Sequence, residues 1–157
     1  MKDENDLYNP IITGARSAGF HLYRLYDGTL GKKPFDIGGI APDGRAVGLE
    51  VKYYRHKMNT KLHDNGEAVI PWSSFEVQQI AYLKAFARNG GLPIVYIYYA
   101  LDKVHAAFVL DEQDIGCAIP QEYIRMWEHI AGYNNAQSIM GWHKLLTIRP
   151  GYPTPNK

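Results

Sequence analysis

The chain has a single cysteine, Cys117, among its 157 residues, so an internal disulfide and a cysteine-based zinc site are both excluded. Its longest apolar run, around residues 92–101, is far too short to span a membrane. Net charge is only +1, which is too balanced to indicate nucleic-acid binding by itself. Residues 1–6 are polar and acidic and predict no secretory leader, so we expect a cytoplasmic protein.

The composition is that of a folded protein rather than a disordered one. Hydrophobic residues make up 46% of the chain and aromatic residues 13%, enough for a substantial core. The length is typical of one domain. We expect a single domain over residues 1–149 and an extended Pro/Gly-rich tail at 150–157.

The residue pattern predicts an α/β fold with a central mixed sheet, in the order α-β-β-β-α-β-β-α. Asn9 and Pro10 predict the start of the first helix, which ends at Gly19. Strands are predicted at residues 20–26, 35–40, 46–53, 94–99 and 104–110. A polar loop is predicted at 55–68, a final helix at 120–130 and a last short strand at 145–148.

A second helix is predicted between the third and fourth strands. Ser73 or Ser74 is the expected cap, and counting from Ser73 places Glu76 at the capping-box position. The helix is expected to run to about Asn89, where two glycines follow.

The most informative feature is a predicted hairpin with acidic residues on both strands. Asp36 lies on the first strand, and Glu50 and Lys52 share one face of the second because strand side chains alternate. Pairing of the strands brings Asp36 beside Glu50. Two carboxylates suit Mg²⁺, and a neighbouring lysine can orient a water molecule. This combination fits metal-assisted phosphodiester hydrolysis.

The hairpin and the segments around it resemble the PD-(D/E)xK nuclease superfamily, and within it the archaeal and Gram-positive types of Holliday junction resolvase. The resemblance covers about residues 14–110. It is carried by Gly19-Phe20 with Arg24, by Asp36 with Glu50-Val51-Lys52, by the segment 69–75, and by the Gln78-Gln79 helix with its Gly90-Gly91 exit. The literal Pro-Asp pair is interrupted, because Phe35 stands between Pro34 and Asp36.

The resemblance implies a restriction-endonuclease-like α/β sandwich and a set of site residues. Asp36, Glu50 and the Val51 carbonyl are expected to hold Mg²⁺, for which Mn²⁺ can substitute. Lys52 is expected to position the attacking water, with Gln79 orienting that water or the lysine; Gln78 takes this role if the register shifts by one. A third acidic ligand is expected from the first helix, where Glu4 is our choice and Asp6 is the other nearby acid.

Basic residues near the catalytic strands are the expected DNA contacts. These are Arg24, Lys32, Lys33, Arg55, Lys57 and Lys61. Tyr53, Tyr54 and Trp72 can stack on unpaired bases, although packing is the more common use of such rings. His56 and His63 lack further ligands for a zinc site, which favours solvated or phosphate-facing histidines.

The function implied is that of a metal-dependent endodeoxyribonuclease that makes paired nicks in branched DNA, a four-way junction. Such resolvases act as homodimers. We therefore expect no membrane association and a location in the cytoplasm of a bacterial, archaeal or phage-infected host cell. The alternatives are another repair or replication nuclease of this superfamily, or a non-catalytic DNA-binding module on the same scaffold.

Overall fold

The computed structural model describes residues 3–29, 31–55, 70–101, 103–117 and 139–146. The described helices are α1 (Asn5–Ser17), α2 (Val77–Arg88) and α3 (Ile139–Leu146), and a short 3₁₀ turn spans Trp72–Ser74. The described strands are β1 (His21–Arg24), β2 (Ile37–Ile40), β3 (Ala46–Tyr54), β4 (Leu92–Tyr99) and β5 (Val104–Val109).

The five described strands form one mixed sheet in the order β1-β2-β3-β4-β5. β1, β2 and β3 pair antiparallel, and β4 and β5 do the same. β3 and β4 are parallel, because the chain crosses over through α2 between them. The predicted α/β class and mixed sheet are therefore confirmed.

Both faces of the sheet are covered by apolar residues. On one face α1 and α3 pack against the sheet, and Trp142 of α3 stacks on Tyr96 and meets Phe20 edge to face. On the other face Leu83 of α2 packs with Trp72 and Phe75 over β4 and β5. β4 is consequently buried along almost its whole length, as its continuous apolar sequence predicts.

The hairpin between β2 and β3 has the predicted turn, but β2 begins at Ile37, so Asp36 lies immediately before the strand rather than on it. The N–H of Gly44 donates to the carbonyl of Ala41 at 2.9 Å, and Gly44 has a φ of +88° that glycine adopts without strain. Gly48 on β3 has no side chain because the ring of Phe35 occupies that space: a Cβ there would lie 2.5 Å from the ring. Close packing of Phe35 fixes the chain immediately before Asp36.

The first helix begins earlier than predicted, at Asn5 rather than after Asn9. Pro10 lies inside it, where the missing N–H removes one backbone hydrogen bond. Leu7, Tyr8 and Ile11 are buried on one face of the helix. This burial stabilises the extra turn against the local effect of proline.

The cap of α2 and the last predicted strand also differ from expectation. Ser73 lies in the 3₁₀ turn, and Glu76 takes the N-cap position instead. Residues 145 and 146 belong to α3, because Trp142 and Leu145 are three positions apart and both face the core. The predicted helix at 120–130 lies outside the described residues, as does nearly all of the predicted loop at 55–68.

Candidate active site

Two carboxyl groups meet at the start of the β2–β3 hairpin. Ile37 pairs with Leu49 in the register of these strands, so Asp36, one residue earlier, comes opposite Glu50. The side chains are almost fully buried, with 5% of Asp36 and 2% of Glu50 exposed. Asp36 Oδ2 accepts the N–H of Val51 at 2.8 Å, which fixes its position. The predicted approach of these two residues is confirmed.

Burial and the neighbouring carboxylate change the chemistry of Glu50. Loss of hydration is the largest effect, followed by the negative charge of Asp36 and a hydrogen bond with it, and together they raise the pKa of Glu50 to about 9. Lys52 acts in the opposite direction but does not offset them. Glu50 is therefore protonated near neutral pH, until a cation is available to balance the pair.

Lys52 lies on the same face of β3 as Glu50 and is held by two acceptors. Its Nζ donates to the carbonyl of Ser74 at 3.1 Å and to Gln79 Oε1 at 3.2 Å. The ring of Phe75 lies 4.6 Å from the same Nζ. An ammonium group has three N–H donors. Two are directed to protein acceptors here, and the third can reach a water molecule or a phosphate oxygen.

Gln79 connects the lysine to the carboxyl pair. Its Nε2 donates to Glu50 Oε2 at 3.2 Å, while its Oε1 accepts from Lys52 and from the N–H of Glu76. The latter bond places Gln79 at the first turn of α2, so helix capping fixes its orientation. Gln78 instead donates to the hydroxyl of Tyr82 at 3.0 Å. The structure thus distinguishes Gln79 from Gln78.

Glu4 immediately precedes α1 and lies near the carboxyl pair. Burial and then the charge of Asp36 raise its pKa, and the hydroxyl of Tyr8 donates to its Oε1 at 3.0 Å. This position results from the early start of the helix, since a helix beginning after Asn9 leaves Glu4 unconstrained. Asp6 lies in the first turn of α1.

The predicted DNA contacts divide into three groups. Lys32 and Lys33 line the cleft, and Lys33 Nζ makes an ion pair with Asp36 Oδ1 at 3.0 Å. Arg24 lies against Tyr8 of α1, and Arg55 follows β3, with its guanidinium 5.1 Å from the ring of Tyr53. Lys57 and Lys61 lie outside the described residues, together with His56 and His63.

The site opens into a cleft of about 160 Å³. Asp36 and Glu50 line it, and the start of α2 contributes Glu76, Gln78, Gln79 and Tyr82. The segment before β2 contributes Asp27, Lys32, Lys33 and Phe35. The mixture of buried acids and surrounding cations is suited to a phosphate group.

The donor set at the base of the cleft fits a hard divalent cation. Asp36 and Glu50 present carboxyl oxygens, the ligands that such a cation prefers. Val51 lies between Glu50 and Lys52, and its N–H already binds Asp36. Across the described part of the chain, no cluster of three His, Cys, Asp or Glu residues converges on a metal position. Any ion held here needs backbone oxygen or water as further ligands.

Three contributions were absent from the sequence interpretation. Lys33 forms an ion pair with Asp36 rather than acting only as a surface charge. The three-residue spacing of the two residues is the sequence signal for this ion pair. Tyr8 contacts both Glu4 and Arg24. Its four-residue spacing from Glu4 predicts their contact once the start of the helix is known. The Ser74 carbonyl that binds Lys52 carries no sequence signal, because any residue supplies it.

Comparison with known proteins gives no family for the chain: no protein-family model and no curated protein matches it. Within the described residues, no helix is both long and apolar enough to cross a membrane.

Proposed function

We propose that this protein is a Mg²⁺-dependent endodeoxyribonuclease with a restriction-endonuclease-like fold, and that its substrate is branched DNA. The observation that carries the proposal is the buried pair of Asp36 and Glu50, joined through Gln79 to Lys52. An ordinary salt-bridged strand surface does not bury two carboxyl groups against each other, because this arrangement destabilises the protein; such costly arrangements cluster at functional sites.

The order of the sheet supports the same class of fold. An antiparallel β1-β2-β3 unit is followed by a helix crossover to a parallel β4, with helices on both faces. The carboxyl pair lies at the hairpin and the lysine on its second strand. These are the positions that the resemblance to PD-(D/E)xK nucleases assigns to the metal ligands and the catalytic lysine.

Asp36, Glu50 and the Val51 carbonyl are the proposed ligands, with Glu4 as a further acid at the same edge. A bound Mg²⁺ or Mn²⁺ supplies Lewis-acid polarisation of the scissile phosphate and lowers the pKa of a water molecule. The free N–H of Lys52 donates to that water or to a non-bridging phosphate oxygen, so negative charge that develops in the transition state meets a fixed cation.

The remaining residues position these groups. Gln79 keeps Lys52 beside Glu50, because its carbonyl accepts from the ammonium while its amide donates to the carboxyl group. Lys33 pairs with Asp36 and, with Lys32, offsets the charge of the incoming phosphate. The resemblance to the superfamily implies hydrolysis products with a 5′-phosphate and a 3′-hydroxyl. Paired nicks at a four-way junction require two such sites, for which we propose a homodimer.

The test is a nicking assay on a synthetic immobile four-way junction, with linear duplex, splayed arms and single strand as alternative substrates. Symmetric nicks that require Mg²⁺ and disappear in EDTA support the proposal. The Asp36→Asn variant should lose at least about a hundredfold in rate. The Asp43→Asn variant, which alters an exposed carboxylate in the turn of the same hairpin, should cleave normally.

The substrates also separate the alternatives. Metal-dependent cleavage of linear or splayed DNA in preference to the junction retains the active site and rejects the resolvase assignment. Tight DNA binding without cleavage of any substrate supports a binding module on this scaffold. Cleavage by Asp36→Asn at the wild-type rate contradicts the assignment of the site.

A further inference from the structure

Cationic groups and aromatic rings alternate in a series of contacts that begins at Asp36 in the cleft and leads to the protein surface. Lys33, the ion-pair partner of Asp36, places its Nζ 5.8 Å from the ring centre of Tyr8. The guanidinium carbon of Arg24 lies 4.2 Å from the ring centre of Tyr8 and 5.3 Å from the ring centre of Tyr26. These contacts form a continuous series that ends at Tyr26.

Tyr26 lies at the surface end of this series. Its side chain is 73% exposed, although a large aromatic ring is usually at least partly buried. It directly precedes Asp27, which lines the cleft. An exposed ring beside a cleft for phosphate is in a position to contact the nucleotide next to the reacting one.

Arg24 is held in place rather than extended into water. Its Nη2 donates to Asn5 Oδ1 at 3.0 Å, and Tyr8 packs against its plane. Because the α1 residues fix this guanidinium, little side-chain entropy is lost when a ligand binds. The orientation of the neighbouring Tyr26 ring benefits from the same support.

We propose that Tyr26 is a stacking platform for an unpaired DNA base next to the cleft, with Arg24 and Lys33 facing the adjoining phosphates. Aromatic rings stack on every type of base, and cations beside them follow the backbone, as in grooves for single-stranded nucleic acid. The proposal rests on the proposed nuclease function and refines it. The ring accepts a base whose pairing is lost at the branch point of the bound DNA.

Tyr23, which lies on β1 three residues before Tyr26, offers a matched control. It is also exposed, at 55%, and an arginine also lies at its ring, since the guanidinium of Arg16 is 5.5 Å away. Neither tyrosine lines the cleft itself, but the series of contacts from Asp36 includes Tyr26 and does not include Tyr23. Replacement of either exposed tyrosine leaves the buried core unchanged.

The experiment measures binding in EDTA, which prevents cleavage, with a splayed DNA that carries 2-aminopurine at the unpaired nucleotide next to the branch. Stacking on a protein ring should quench this fluorophore. Tyr26→Ala should abolish the quenching and weaken binding by at least fivefold, given the usual strength of base stacking on aromatic residues. Tyr26→Phe should restore both, and Tyr23→Ala should behave as wild type.

A fully paired duplex of the same length is the second substrate, and Tyr26→Ala should not change its affinity. Equal binding of splayed DNA by wild type and Tyr26→Ala overturns the stacking site, as does equal weakening for splayed and paired DNA. If wild type still cleaves DNA with Mg²⁺, the nuclease proposal survives that result. Absence of both DNA binding and cleavage in wild type overturns both proposals.

Discussion

The Glu50→Gln substitution should stabilise the metal-free protein. In the folded chain, burial and the charge of Asp36 raise the pKa of Glu50 from 4.5 to about 9. At pH 7 the group is ionised when unfolded and protonated when folded. Folding at pH 7 must therefore protonate a group whose pKa in the unfolded chain lies roughly 2.5 units below that pH. At about 1.4 kcal/mol per unit, this protonation costs about 3 kcal/mol.

The direction with pH follows from the raised pKa. The folded state holds more protons than the unfolded state between pH 4.5 and about 9, so stability from this group is greatest below pH 4.5 and falls as the pH rises. The glutamine that replaces Glu50 has no titrating group and keeps an amide that can donate to Asp36, as the protonated carboxyl group does. The stability difference between the proteins should therefore grow with pH.

The assay is urea denaturation in EDTA at several pH values from 5 to 8.5, for wild type and Glu50→Gln. The variant should be nearly equal to wild type at pH 5 and about 3 kcal/mol more stable at pH 7. Glu112→Gln is the control, because Glu112 is an exposed partner of Arg88 and its loss should leave stability nearly unchanged.

A second measurement adds Mg²⁺ at pH 7.5. Wild type should gain stability, since a ligand that binds only the folded state shifts the equilibrium toward it, whereas Glu50→Gln should gain little. A stability difference that stays constant from pH 5 to 8.5 refutes the buried-pair reasoning. A variant that is less stable than wild type at pH 7 in EDTA does the same.

Two further predictions concern the core. His105 is buried beside the Tyr96 hydroxyl, and burial lowers its pKa from 6.5 to about 4, so its protonation favours unfolding. Stability should fall by up to about 3 kcal/mol as the pH drops from 6.5 to 4. A His105→Gln variant measured in parallel should lack this pH-dependent loss. Gly48→Ala should destabilise the protein by about 1–3 kcal/mol, because the new methyl group meets the ring of Phe35. Gly28→Ala adds a methyl group in open space and should be close to neutral. Equal melting temperatures for the two variants contradict this packing.

The α/β class, the mixed sheet and the hairpin were predictable from sequence because each depends on local patterns. The continuous apolar run of β4 indicates a strand buried on both faces, and the turn residues before Arg45 indicate a hairpin. Once the hairpin is predicted, alternation along the strand places Glu50 and Lys52 on one face. The register then brings Asp36 to Glu50.

The errors occurred where tertiary burial outweighed local signals. Pro10 is a strong start signal, but Leu7 and Ile11 pack against the sheet and extend the helix past it. The segment that begins at Leu145 has the composition of a short strand, yet Trp142 and Leu145 lie on one helix and both pack into the core. Ser73 resembles a cap, but the chain there forms the turn that presents a carbonyl to Lys52.

The sequence by itself determined which residue types reach the hairpin and that two acids and a lysine lie close together, because strand geometry repeats every two residues. Only the tertiary structure decided that Glu4 approaches them from α1, that Lys33 pairs with Asp36, and that Gln79 rather than Gln78 joins Lys52 to Glu50. The Glu4 and Gln79 relations link segments far apart in the chain, whereas Lys33 and Asp36 are close in sequence and meet only in the folded geometry before β2. Packing of α1 and α2 on opposite faces of the sheet, which no local pattern encodes, sets the Glu4 and Gln79 relations.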